Sequence, residues 1–430
     1  MSSFISDVFR VGISNFLIIA FGLTTSIITA RYIGPEGNGI IAALLVYPSL
    51  FMSFGSLGIR QSTTYFLGKN IFSEEQIKTA ITQIWMITTV FSIVSSFILI
   101  RYFSNSGENI ALVILALLPI PFSLFNTYNS GIFLGKNDIK TFNKINWIPG
   151  LVALLGTIVF VIIFKLDIAG AMLASVGAPL FMSGILLFKN KFLKAFSFKY
   201  DWKIIKSLLS LGIVYAISLL VINLNYKTDI IILDELSTPY ELGIYSKGSG
   251  ITQYLWQIPM IFSTIVFARS AVSKNSKAFS LKVAQLLRLS FIAIGLGGIV
   301  LYFLSDLIIV GMYGVEFKGS ISVLNYLLPG VLILTIYKVM NMDLAGRGKP
   351  WISMKAMLPA LVLNILLNIW LIPSMGANGA AVSSTISYSL AGLLFLVFYS
   401  KEVSIPIRTI VSLKKSDLDP IRNMIKMLKK

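Results

Sequence analysis

Apolar residues in this chain fall in long uninterrupted runs, neither alternating with polar ones nor confined to narrow stripes. Twelve such runs lie near 11–30, 40–59, 79–100, 110–130, 146–164, 170–188, 207–231, 244–267, 286–304, 321–342, 353–372 and 379–399. Each is close to the ~20 apolar residues that a helix needs to cross the hydrocarbon core of a bilayer. Backbone polar groups in hydrocarbon must be satisfied within the segment, which leaves helices or a closed barrel. A barrel would require alternating segments of about ten residues, and the runs do not alternate. The expected fold class is therefore all-α integral membrane, with twelve transmembrane helices. Pro119 and Pro121 are expected to bend the fourth span, and Pro259 the eighth. The first run, from Val11 to Ala30, is too long for the apolar part of a cleavable signal and lacks a clear small-residue cleavage site.

The connections between runs differ sharply in charge. The N-terminus, the even-numbered connections and the C-terminal stretch, counted together with Arg288 and Lys355 in the first turn of the ninth and eleventh runs, carry 29 Lys and Arg, and the odd-numbered connections carry 4. Basic residues concentrate on the cytoplasmic side of membrane proteins, so both termini are expected on that side of the membrane. The same rule accounts for the net charge of +18 without nucleic acid as a partner. The linker 189–206 carries six lysines and divides the chain into residues 1–200 and 201–400, with a basic tail over 401–430. From Asp419 that tail reads either as an amphipathic helix on the anionic leaflet or as a disordered basic segment. Ile421, Met424, Ile425 and Leu428 would form the apolar face of the helix.

The two halves resemble each other. Gly39-Ile40 corresponds to Gly243-Ile244, Gly135-Lys136 to Gly348-Lys349, and the segment from Gly170 to Ser175 to that from Gly379 to Ser384. The offsets are 204, 213 and 209. Six spans per half is an even number, so the halves have the same orientation and are expected to form two six-helix lobes related by an axis along the membrane normal.

Composition narrows the chemistry. The mean hydropathy is +0.83, and only 13% of residues are charged. Cysteine and histidine are both absent, which removes disulfides, thiolate nucleophiles, zinc sites built on Cys or His, and the commonest general base. No paired carboxylates, glycine-rich phosphate loop or Gly-x-Ser-x-Gly turn appears. No catalytic residues, no metal and no cofactor are expected, and the chain does not read as an enzyme.

Ionisable groups inside the runs are the remaining candidates for function, because each costs about 2.5–3.5 kcal/mol at the bilayer centre on insertion scales. Lys227 and Asp229 lie in the seventh run, two residues apart and so on nearly opposite sides of a helix. Asn225 shares a face with Asp229, and Asn223 shares one with Lys227. Lys247 lies near the outer end of the eighth run and Lys338 near the inner end of the tenth. Both Lys227 and Lys247 could instead extend to the headgroups. Arg31 ends the first span on the side where basic residues are disfavoured, with Glu36 as a possible ion-pair partner. Ser49, Ser53, Ser56 and Arg60 form a polar stripe on one face of the second span, suited either to helix packing or to lining a cavity.

Two segments carry a family resemblance. The stretch Arg31-Tyr32-Ile33-Gly34-Pro35-Glu36-Gly37-Asn38-Gly39 resembles the start of the polysaccharide transporter family. These are the O-antigen and capsule repeat-unit flippases of the superfamily that also holds the multidrug (MATE) exporters. Asn225-Tyr226-Lys227-Thr228-Asp229-Ile230-Ile231-Ile232-Leu233, followed by Leu242-Gly243-Ile244-Tyr245, is similar to the same family's seventh span and turn. The resemblance implies two six-helix lobes around a central cavity and translocation of an undecaprenyl-diphosphate oligosaccharide through the lipid bilayer. A polysaccharide polymerase and glycosyltransferases would be functional partners. It also implies basic cavity groups that meet the diphosphate or acidic sugars, with Arg31, Lys227 and Lys247 as the nearest matches. Lipid II flippases are similar but carry fourteen spans, where twelve are read here. A cation-coupled drug exporter would favour acidic cavity residues, of which Asp229 is the one candidate. A membrane glycosyltransferase or polymerase would call for a large external loop or a carboxylate-bearing domain, and the outer connections are short.

Overall fold

The first two apolar runs form a single long rod, α1 (Ser2–Phe54), broken at one residue: Gly34, at φ 73° and ψ 178°. A side chain is strained at that positive φ, and Pro35 then restarts the helix with its fixed φ. The computed structural model describes residues 2–136, 138–195, 201–271, 273, 275–414 and 417. Among these, the elements are helices and turns with no strand. Among the described residues, nine helices are long and apolar enough to cross a membrane. The twelve expected spans map onto them once three features are included. The first two spans share one rod. The fifth is a shorter apolar helix, Ile148–Ile163. The eighth is divided at Leu255 and Trp256, three residues before Pro259.

The chain divides into two compact units. One comprises residues 1–247 with 312–318, and the other comprises 248–311 with the residues from 319 onward. After α1 the first unit contains α2 (Ile59–Gly68), α3 (Glu74–Phe103), α4 (Ile110–Leu117) and α5 (Pro119–Gly135). The fourth span thus breaks immediately before Pro119, as its proline required. It continues through α6 (Ile139–Ile145), α7 (Ile148–Thr157) with a π-helical extension Ile158–Ile163, α8 (Asp167–Lys189), α9 (Trp202–Leu236) and the start of α10 (Pro239–Tyr254). At one end of this unit, Glu74 accepts from Lys78 at 2.6 Å and from Lys136 at 2.9 Å. Lys78 also donates to the Asn190 carbonyl at 2.6 Å. Three even-numbered connections therefore meet at one end, as alternating spans require.

The second unit continues α10 and contains α11 (Gln257–Ala271), α12 (Ser276–Phe303), α13 (Ser305–Tyr313, whose end belongs to the first unit), α14 (Ser320–Gly346), α15 (Trp351–Met375), α16 (Ala377–Val403) and α17 (Ile407–Val411). α16 packs on both α14 and α15, closely over its first turns, where the buried positions are mostly small: Gly379, Ala380, Ala381, Ser383, Ser384 and Ser387, with larger Phe395, Leu396 and Tyr399 buried further along. At one end, the fully buried Asp343 carboxylate accepts from Ser270, Ser280 and Tyr399 at 2.5, 2.7 and 2.6 Å and pairs with Arg347 at 3.0 Å. A buried charge persists only when it is paired and hydrogen-bonded, and here four elements supply the partners. Arg288 of α12 grips Asp417 through two contacts of 2.7 and 2.6 Å and also donates to the carbonyls of Thr409 and Ile410. The expected amphipathic segment from Asp419 lies outside the described residues, as do 196–200 of the linker.

Candidate functional site

The cations inside the first unit separate into committed and uncommitted groups. Lys247 is buried, and its Nζ donates to the Ser26 carbonyl and hydroxyl, each at 3.2 Å, and to the Thr29 hydroxyl at 3.0 Å. It also sits 5.5 Å from the centre of the Tyr313 ring. Arg31, exposed at the break in α1, donates from Nε to the Met312 carbonyl at 2.8 Å. Asp229 is fully buried and accepts from the Tyr245 hydroxyl at 2.5 Å. Asn225, one helical turn away, is buried too. In the second unit, the half-buried Lys338 lies over the Trp256 ring at 4.4 Å.

Two cations stand apart. Arg60 and Lys227 are half-buried, and the side chain of neither makes a hydrogen bond, an ion pair or a ring contact among the described residues. Asn223 shows what Lys227 faces. Its amide donates to the Ser53 hydroxyl at 2.8 Å and ties α9 to the second half of α1. Lys227 is one turn further along the same face of α9. The two helices run in opposite directions, so Lys227 reaches the depth of Ser49, one turn back along α1.

Ser49 and Arg60 border an open cavity of about 490 Å³ within the first unit. Its walls come from α1, α2, α4 to α8 and the residues joining them. The polar stripe expected on one face of the second span is not continuous: the helix ends at Phe54, Leu57 and Gly58 are left-handed, and Arg60 belongs to α2, so Ser49 and Ser53 share a face while Ser56 lies in the break and Arg60 beyond it. Ser49 and Arg60 line the cavity, while Ser53 bonds Asn223 and the buried Ser56 donates to the Ser53 carbonyl. A second stripe was missed in the sequence: Ser123, Asn126, Thr127 and Ser130 on α5 all line the same cavity. Their spacing of three and four residues was the signal, with no charge to mark it. Among the described residues no Asp or Glu lines this cavity, and no cluster of three or more Asp or Glu could hold a metal.

This arrangement suits a ligand that is polar and anionic rather than cationic. It supplies no group placed for nucleophilic or acid–base chemistry.

The chain is similar over nearly its whole length to solved transporters. It covers 98% of its length and 92% of that of a lipid II flippase, MurJ, in an inward closed conformation, with a TM-score of 0.76 at 15% identity. Against an inward-facing multidrug resistance MATE family transporter of the MOP superfamily, it covers 90% of its own length and 94% of the other chain, with a TM-score of 0.74 at 13% identity. At these identities the likeness establishes the fold alone, a multi-pass helical membrane architecture in two lobes. In sequence, 101 residues are 31% identical to the probable low-salt glycan biosynthesis flippase Agl15 of Haloferax volcanii, over 24% of this chain and 21% of that protein. Residues 4–270 match the profile described as polysaccharide biosynthesis protein. That match takes in the break at Gly34, the cavity and Lys227, so both the fold and the region of the site lead to one assignment: the chain belongs to the polysaccharide biosynthesis protein family.

Proposed function

We propose that this protein is a flippase that carries an undecaprenyl-diphosphate-linked oligosaccharide repeat unit across the bacterial cytoplasmic membrane by alternating access, for cell-surface polysaccharide such as O-antigen or capsule. Both termini are cytoplasmic in this reading. Glycosyltransferases that build the repeat unit act before it, and a polysaccharide polymerase acts after it. The observation that carries the proposal is Lys227, a half-buried cation in a membrane helix with no partner among the described residues. An uncompensated charge in that setting is costly, and a transiently bound diphosphate would supply the missing counter-charge. The diphosphate cannot cross hydrocarbon unaided for the same reason. A small number of fixed cations lowers that barrier without trapping the substrate. Arg31 is the second candidate cation of the first unit in this reading; Lys247, Asn225 and Asp229 are buried and bonded within that unit and hold the helices around Lys227, and Lys338, in the other unit, is a further candidate cation considered by itself.

Export of cationic drugs is the less favoured reading. Among the described residues the cavity has no carboxylate in its lining, and Asp229 already accepts from Tyr245.

The test is flipping of a fluorescent undecaprenyl-diphosphate oligosaccharide in proteoliposomes. Wild-type protein should render the label on the far leaflet accessible. Lys227→Ala should abolish this, and Lys227→Arg should keep part of it, because a planar fork replaces a compact point charge. Wild-type rates from a well-folded Lys227→Ala variant would refute the role given to this residue.

A further inference from the structure

The first unit includes a short stretch from much later in the chain, residues 312–318. This stretch belongs to the ninth connection. It docks on the break in α1 and on the start of α10, which lie in the first and seventh connections. All three connections are odd-numbered and so meet at one end, the outer one in the orientation expected from the basic residues.

The docking contacts are few. Arg31 Nε donates to the Met312 carbonyl at 2.8 Å, and the Tyr240 hydroxyl donates to the Glu316 carbonyl at 3.2 Å. The hydroxyls of Tyr313 and Ser26 lie 3.3 Å apart. The Tyr313 ring sits over the Lys247 ammonium at 5.5 Å and against the Phe317 ring, with centroids 5.8 Å apart. Both rings are buried. Between them the chain turns at Gly314, whose φ of 101° favours glycine, and Val315 and Glu316 are exposed. The Glu316 carboxylate reaches the break itself, since a Cβ on Gly34 would stand 3.6 Å from it.

An attachment of this kind is reversible. Two of its hydrogen bonds are exposed, so water can replace a lost partner. Its two rings ride on one short segment with a glycine at the turn, and a few such residues absorb the backbone change when a loop moves. Arg31 is the point at which a ligand can intervene. A carbonyl offers the guanidinium one neutral acceptor, whereas a phosphate offers charged oxygens that accept two parallel bonds.

We infer that residues 312–318 are a strap over the break in α1, and that it lifts off when an anionic group takes Arg31 from the Met312 carbonyl. The inference rests on the flippase reading above and adds to it an opening step, in which the diphosphate competes with the strap for one guanidinium. Tyr313 leaves with the strap. Lys247 keeps its bonds to Ser26 and Thr29, so the first half of α1 stays fastened to α10.

The native chain has no cysteine. Tyr240→Cys combined with Glu316→Cys, both at exposed positions, therefore places the only two thiols on either side of the strap contact. A short bifunctional methanethiosulfonate tethers them in the full-length protein in proteoliposomes. Flipping of the fluorescent undecaprenyl-diphosphate oligosaccharide should fall to the protein-free rate on tethering and return on reduction. Each single-cysteine variant, treated alike, should keep its rate. The untethered pair is the reference, because it has itself lost the Tyr240 bond. Undiminished flipping by the tethered protein would overturn the inference. Spin labels on the same two cysteines in nanodiscs follow the strap without transport. Inorganic pyrophosphate or the lipid diphosphate should populate a second, longer distance. Arg31→Gln should make the distances independent of both ligands, and Arg31→Lys should keep part of the response. One distance that neither ligand changes would also overturn the inference. The two readings fail separately. A protein that flips the lipid while its labels hold one distance sinks the strap alone. A strap that opens to pyrophosphate through Arg31, in a protein that flips no lipid diphosphate, sinks the flippase reading alone.

Discussion

Lys227 and Lys247 are the same residue type in apolar helices, and their surroundings set them different tasks. Lys247 has three oxygen acceptors and an aromatic face around its ammonium. It fastens α10 to the first half of α1. Replacing it with methionine removes the charge but leaves the acceptors of Ser26 and Thr29 without their donor. The expected loss is about 1–3 kcal/mol, visible as a lower melting temperature in detergent, with Lys247→Arg intermediate. Lys227 has no such partners to lose. Its alanine variant should melt like the wild type while losing transport, and the contrast between the two is the measurement. Asp417 gives a residue-scale case with a pH dependence. The hydrogen bonds from Arg288 hold its carboxyl below the usual aspartate value. A depressed folded-state pKa contributes stability that is present above the ordinary aspartate value and is lost as pH falls through the lower one. The clamp on the C-terminal segment should therefore hold at neutral pH and release only in acid. Asp417→Asn should loosen it at neutral pH by about 3–5 kcal/mol, the cost of leaving a buried charge unpaired. Faster limited proteolysis near α17 would report the change, and no change in cleavage rate would show that the backbone carbonyls alone hold Arg288.

At the scale of elements, the glycines paired in the sequence repeat touch each other in space. α1 restarts at Pro35 and places Gly39 four residues on. α10 starts at Pro239 and places Gly243 four residues on. A Cβ on Gly39 would overlap the Pro239 carbonyl oxygen, and a Cβ on Gly243 would overlap that of Pro35. The contact is reciprocal, backbone against backbone, as small residues allow in membrane helices. Gly39→Ala and Gly243→Ala should each disrupt it to a similar degree, lowering expression and melting temperature. The double variant should cost less than the sum, because both act on one contact. This relation was legible in the sequence as a 204-residue offset, though the contact itself was not. The apolar runs, the break near Gly34 and Pro35, and the proline break before α5 were legible for the same reason: length, glycine and proline act locally. The cavity was only half legible. The Ser49 to Arg60 stripe stood out because it ends in a charge, although the break at Leu57 and Gly58 parts it, whereas the Ser123 to Ser130 face holds only neutral groups within an apolar run. Which cations are committed was not legible at all, because Ser26, Thr29 and Tyr313 approach Lys247 only through the fold.

At the scale of the whole molecule, the charge asymmetry makes a prediction about sidedness that the native chain is well suited to test, since it has no cysteine. Single cysteines can be introduced at exposed connections without removing any native thiol. Lys69, Lys144 and Lys282 belong to the basic set, and Lys165 and Lys318 to the sparse set; all five are exposed. The fold supports the alternation behind these sets, because Glu74, Lys78, Lys136 and Asn190 bring three connections of one parity together. Alternation alone does not say which end is cytoplasmic. That assignment rests on the excess of 29 basic residues over 4. A membrane-impermeant maleimide added to intact cells should label Lys165→Cys and Lys318→Cys, and should reach Lys69→Cys, Lys144→Cys and Lys282→Cys only after permeabilisation. The reverse pattern would invert the molecule and place Lys227 in the inner third of the bilayer, so that it would meet a cytoplasmic diphosphate on entry and not in the outer part of the path. A mixed pattern, with Lys165 and Lys318 on opposite sides, would break the even span count between them and with it the twelve-span topology.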